Sequence, residues 1–145
     1  MASALSSKLS AFINPQDASQ LQELDAAVAT ALTCGLSQSD KEALLQVFER
    51  FPEEDGFGVF WSILHALESA DNYEHELVAS VRRAPNLFNT LMINRIVNAG
   101  INVLAGVSAE RLVNEVLSNG VATPGVIKQV QGFLHRQASA GQREA

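Results

Sequence analysis

Three side chains near the middle of this 145-residue chain have the chemistry of metal ligands or acid–base pairs: His65, Glu68 and His75. Residues three apart on a helix share a face, so His65 and Glu68 can present an imidazole and a carboxylate together, a donor set that zinc accepts. His75 follows His65 by ten residues. The spacing does not form a recognised ligand pattern such as H-E-x-x-H, and a third donor would have to come from another helix. The chain contains no G-x-S-x-G, no glycine-rich phosphate loop and no C-x-x-C, and Gly56-Phe57-Gly58 reads as a tight turn entering a helix. No enzymatic activity, metal or cofactor is expected from these residues.

Charge is the next chemical signal. From Asp40 to Glu76 the acidic residues are Asp40, Glu42, Glu49, Glu53, Glu54, Asp55, Glu68, Asp71, Glu74 and Glu76, against only Lys41 and Arg50. From Leu77 onward the balance reverses, and the formal net charge of −6 resides in the first half. An acidic face repels nucleic acid and anionic lipid and attracts cationic protein surfaces. The lysines and arginines are scattered and the aromatics fall in apolar stripes, which is not the footprint of a nucleic-acid binder. Two readings follow: a partner-binding face, or carboxylates that only solvate a helical protein. On the first, the candidates are Glu53, Glu54 and Asp55 in one connection and Asp71, Glu74 and Glu76 at the next, with His65 and Glu68 on the helix between. The bet falls on the 53–55 loop, because a loop carries side chains outward without packing duty.

The elements that would position these residues are all helical. Leu5, Leu9, Phe12 and Ile13 predict a short first helix ended by Asn14-Pro15. A second runs from about Asp17 to Thr33, with Leu21, Leu24, Val28, Ala31 and Leu32 on one face and Gly35 past its end. Ser39-Asp40-Lys41-Glu42 has the form of a capping box for a third helix, which stops before Pro52. The fourth spans about 57–70 and is apolar almost all round, leaving a narrow stripe of Gly58, Ser62, His65 and Ser69; Trp61 is expected inside. Asp71 is placed to cap a fifth helix to Arg83, and Pro85 separates it from a sixth over 87–99 with its own stripe of Thr90, Asn94 and Asn98. These two stripes serve either as contacts between packed helices or as the edges of a groove. Ser108 starts a seventh helix, and Thr123-Pro124 starts an eighth that runs to about 137.

The last six helices pair as 40–51 with 57–70, 72–83 with 87–99 and 108–119 with 124–137, each pair with a proline in its connection. Those prolines lie 33 and 39 residues apart, within the range of two-helix repeats of the HEAT or armadillo type. The fold class is therefore all-α with seven to eight helices, as stacked hairpins or as a compact irregular bundle. Residues 1–137 read as one domain, and 138–145 as a disordered tail. A chain of this length buries roughly 68–70% of its unfolded surface, enough for a core without staples. The lone Cys34 is read as a small buried hydrophobe in a reducing compartment. The N-terminus lacks the continuous apolar run of a signal peptide, so a cytoplasmic location is expected, with no membrane partner.

The segment Phe51-Pro52-Glu53-Glu54-Asp55-Gly56, followed by Gly58-Val59-Phe60-Trp61-Ser62-Ile63-Leu64-His65 with Glu68, then Val78 to Arg83 and Leu91-Met92-Ile93-Asn94-Arg95, resembles small all-helical immunity proteins encoded beside bacterial polymorphic toxins, including those of contact-dependent and type VI secretion systems. The likeness covers about residues 36–105. It implies a cytosolic protein that binds a cognate toxin domain and blocks it. A helical-repeat adaptor for some other protein is the alternative.

Overall fold

In the computed structural model the backbone is described for residues 4–144 and the side chains for 5–138. Among the described residues there are eight α-helices, α1 (Ala4–Ala11), α2 (Ala18–Cys34), α3 (Gln38–Arg50), α4 (Val59–Ala70), α5 (Glu74–Arg83), α6 (Leu87–Asn98), α7 (Ala109–Ser118) and α8 (Pro124–Glu144), and a 3-10 turn (Gly56–Gly58) before α4. The chain is all-α, apart from a two-stranded antiparallel hairpin of β1 (Val103–Leu104) and β2 (Val107–Ser108). That hairpin is absent from the sequence reading. Strands of two residues show no alternation to detect; the turn is closed by Ala105 (φ 49°) and Gly106 (φ 79°), and Leu104 is driven fully into the core.

Helix packing follows a two-row order. Odd-numbered helices pack on one another in sequence, α1 on α3, α3 on α5 and α5 on α7, and the even ones do the same from α2 to α8. Each consecutive pair also packs as a hairpin, so α1 and α2 add a fourth unit to the three expected. Between the rows lies a single core that includes Leu44, Leu45, Ile63, Leu64, Leu67, Leu77, Met92, Ile93 and Leu112, all essentially inaccessible to solvent. An aromatic cluster fills the α1–α3–α4–α6 junction: Phe48 stacks on Phe88 at 4.9 Å between ring centres, and Phe60 meets Phe12, Phe48 and Phe88 at 5.8–6.2 Å.

Several local expectations are corrected. The capping box of α3 is built by Ser37 and Asp40, not by Ser39 and Glu42: Ser37 N donates to Asp40 Oδ2 at 3.0 Å and Asp40 N to Ser37 Oγ at 3.1 Å. Asp71 does not cap α5; its backbone (φ 60°, ψ 168°) turns the chain out of α4, and α5 begins after Tyr73 with no side-chain cap. Cys34 is exposed. Trp61 is 38% exposed on the outer side of α4, because the packed faces of that helix are taken by Phe60, Ile63, Leu64 and Leu67. The backbone of α8 continues as helix to Glu144, into the segment read as a tail, whose side chains from 139 onward, with Ala145, lie outside the described residues. Among the described residues, no helix is long and apolar enough to cross a membrane.

Candidate partner-binding face

Thr90 and Asn94 of the α6 stripe are consumed within the fold, while Asn98 at its end is exposed. Gln129 of α8 donates through Nε2 to Leu87 O at 2.7 Å and Thr90 Oγ1 at 3.0 Å, Thr90 donates to Asn86 O at 2.7 Å, and Gln137 donates to Asn94 Oδ1 at 2.9 Å. The stripe of α4 has the other fate. Gly58, His65 and Ser69 are exposed and Ser62 half-buried, and Trp61 joins them on the open side.

Folding brings acidic and basic halves of the chain together, which corrects the picture of a carboxylate run with little to neutralise it. Arg83 forks onto Glu49 at 2.7 Å through both Nε and Nη2 and Arg95 onto Glu68 at 2.8 and 2.9 Å, while Arg82 reaches Glu115 within the second half at 3.1 Å. Glu68 is thereby held between α4 and α6. The two candidate acidic clusters sit at opposite ends of α4, whose 12 residues span about 18 Å.

The 53–55 turn has more packing duty than a free loop would. Pro52 O accepts from Leu87 N at 2.9 Å, anchoring the turn to the start of α6. Glu54 is half-buried and accepts from Gln16 at 3.1 Å. The Glu53 carboxylate lies where a Cβ on Gly125 would stand, against the first turn of α8, although Glu53 itself is exposed. Asp55 Oδ1 accepts from Phe57 N at 3.0 Å and Asp55 O accepts from Phe60 N at 3.2 Å, so this residue caps the short 3-10 turn of Gly56–Gly58 that leads into α4.

At the far end, Asp71 is exposed, Glu74 half-buried and Glu76 buried at 9% exposure, with Oε2 lacking a hydrogen-bond partner. Glu76 lies in the floor of the groove between α3 and α5. Buried Tyr73 sits among the others. Its hydroxyl is pushed up to about 12 by burial first, then by the negative charges of Glu68, Glu74 and Asp71, with Arg95 pulling the other way. The His65 ring lies tilted against Trp61 at 5.9 Å, and exposed His75 borders a groove between α3 and α5 with Glu42 and Gln46. Among the described residues, no three His, Cys, Asp or Glu side chains are grouped to hold a metal ion.

Two aromatic residues join the face that sequence reasoning missed. Phe57 is 72% exposed and lies in a left-handed conformation (φ 51°, ψ 39°) between Gly56 (φ 57°) and Gly58 (φ 92°). A side chain in that region costs roughly 1–2 kcal/mol. A phenylalanine bracketed by two glycines carried the signal in the sequence. For Trp61 the signal was its place one turn from both Gly58 and His65, on the same stripe. The chain matches no protein-family model, no curated protein and no solved structure in such comparisons.

Proposed function

We propose that this is a non-enzymatic immunity protein: it binds a cognate bacterial toxin domain in the cytoplasm and neutralises it by covering or plugging the active site. The observation that carries the reading is the open side of α4, where exposed Trp61 and His65 lie between the acidic turn of Glu53 and Asp55 and the carboxylates around Tyr73. Apolar anchors flanked by negative charge on rigid helices suit a basic protein surface, which they would attract at long range and hold at short range. The toxin would belong to a contact-dependent or type VI secretion system, as the sequence resemblance implies.

A helical-repeat adaptor is the second reading, favoured by the two-row stacking of hairpins, an architecture that offers extended faces to partners. Expressing the toxin encoded beside this gene, with and without this protein, separates the two. Growth rescue together with a stoichiometric complex of the two purified chains is the expected result. Rescue failure with no complex defeats the immunity reading and leaves the adaptor.

A further inference from the structure

The fold gives no reason for the aromatic ring of Phe57. Its backbone is left-handed, where glycine or asparagine is better accommodated, and burial does not compensate, since 72% of the residue is exposed. Phe57 makes none of the ring contacts that join Phe12, Phe48, Phe51, Phe60 and Phe88. Backbone strain that the fold does not repay is a reason to look for a role in binding. Four residues on, Trp61 uses one edge against Phe88 at 5.5 Å and leaves 38% of its surface open.

Charge at this spot points to the occupant. Asp55 is exposed and fixed by its bond to Phe57 N, and Glu53 is exposed two residues before it. Glu68 and Glu54 are already engaged by Arg95 and Gln16, and the Glu53 carboxylate lies against Gly125 of α8, which leaves Asp55 as the carboxylate of this turn for a partner. Aromatic faces beside carboxylates bind guanidinium and ammonium groups, the rings through their quadrupole and the carboxylates by ion pairing. We infer that Phe57 and Trp61 anchor a docking surface for a basic polypeptide, with an arginine or lysine side chain of the partner seated on the rings and paired with Asp55. The inference rests on the partner-binding reading above. It places the binding contacts on two aromatic residues and one aspartate, in place of the whole acidic run.

Trp61 is the single tryptophan of the chain, so its emission reports this surface alone. The probe is a hexa-arginine peptide titrated into the full-length protein, with hexa-glutamate and anionic lipid vesicles as controls. Saturable change in Trp61 emission with hexa-arginine only, weakened about tenfold by raising the salt, is expected. Asp55→Asn keeps a capping oxygen while removing the charge, and Phe57→Gly relieves the backbone; each should weaken peptide binding about tenfold, the first with an unchanged melting temperature and the second with one that is unchanged or raised. The proposal is overturned by no response to hexa-arginine, by an equal response to hexa-glutamate or vesicles, or by unaltered affinity in both variants. If the peptide fails while toxin rescue succeeds, this surface is wrong and the immunity reading stands.

Discussion

Glu49 and Arg83 hold α3 to α5 by a two-pronged ion pair, both contacts at 2.7 Å, and Glu49 Oε2 also accepts from buried Ser80 at 2.8 Å. Ser80 in turn accepts from the side chain of Asn89 at 3.1 Å, which carries the network into α6. The partners are unequally placed: the Glu49 side chain is 9% exposed and that of Arg83 is 50% exposed.

That asymmetry predicts which truncation hurts more. Arg83→Ala strands a nearly buried carboxylate with one hydroxyl for company, at a cost of about 2–3 kcal/mol after discounting for the exposed side of the pair. Glu49→Ala leaves an arginine free to turn into solvent and takes the acceptor from the buried Ser80 hydroxyl, at a cost of about 1–2 kcal/mol. Urea denaturation of the two variants at neutral pH checks the order. Equal losses in the two variants would mean that the network contributes through packing alone.

Gly56 and Gly58 both have positive φ, yet they should respond differently to alanine. A Cβ at Gly56 would stand 2.9 Å from the Phe60 ring and 3.1 Å from Leu21, two buried side chains, whereas a Cβ at Gly58 meets nothing within 4 Å. Gly58→Ala carries only backbone strain, about 1 kcal/mol. Gly56→Ala adds overpacking and should cost about 2–4 kcal/mol. Thermal unfolding of the two variants side by side is the check, and a Gly58→Ala loss matching that of Gly56→Ala would contradict the packing argument.

Much of this fold was legible. Asp17, Ser108 and Thr123 cap helices where the sequence places them, and Pro52 and Pro85 lie in the connections. Such signals act within one turn of backbone and need no tertiary knowledge. The ion pairs were not legible, because Glu49–Arg83 and Glu68–Arg95 join residues 34 and 27 apart, and nothing local says which arginine a glutamate will meet. The candidate site was legible in part for the same reason. The acidic turn could be read directly, but whether Trp61 faces the core or solvent depends on which sides of α4 its neighbours α2 and α6 occupy. The stripes of α4 and α6 looked alike as sequences and diverged because α8 covers Thr90 and Asn94 of the second.

Tyr73 predicts an alkaline limit to stability. Its folded-state pKa of about 12 exceeds the ordinary value of 10.0, so the folded protein keeps a proton that the unfolded chain releases above pH 10. The contribution of neutral Tyr73 is therefore fully present below pH 10 and is lost progressively as pH rises toward 12. Tyr73 is the single tyrosine, so the phenolate absorbance reports it without ambiguity. The titration should have its midpoint well above 10 in the native protein and near 10 in urea. Coincident midpoints would show that the ring is solvated and free of its carboxylate neighbours.

Neighbouring positions on α4 give the last prediction. Phe60 has no exposed surface and meets four aromatic rings, those of Phe12, Phe48, Phe51 and Phe88, so Phe60→Ala removes the centre of the cluster. Its expected cost is about 3–5 kcal/mol, a large part of the stability of a domain this size. Trp61 has the larger side chain but is 38% exposed, and its ring meets Phe88 edge-on and His65 on the outside. Trp61→Ala should cost only about 1–2 kcal/mol, the value of a partly buried contact and one edge-to-face pair. The two variants would then separate folding from binding: Phe60→Ala lowers the melting temperature steeply, while Trp61→Ala remains folded and loses affinity for the partner. A Trp61→Ala protein as unstable as Phe60→Ala would place the indole in the core and remove it from the docking surface.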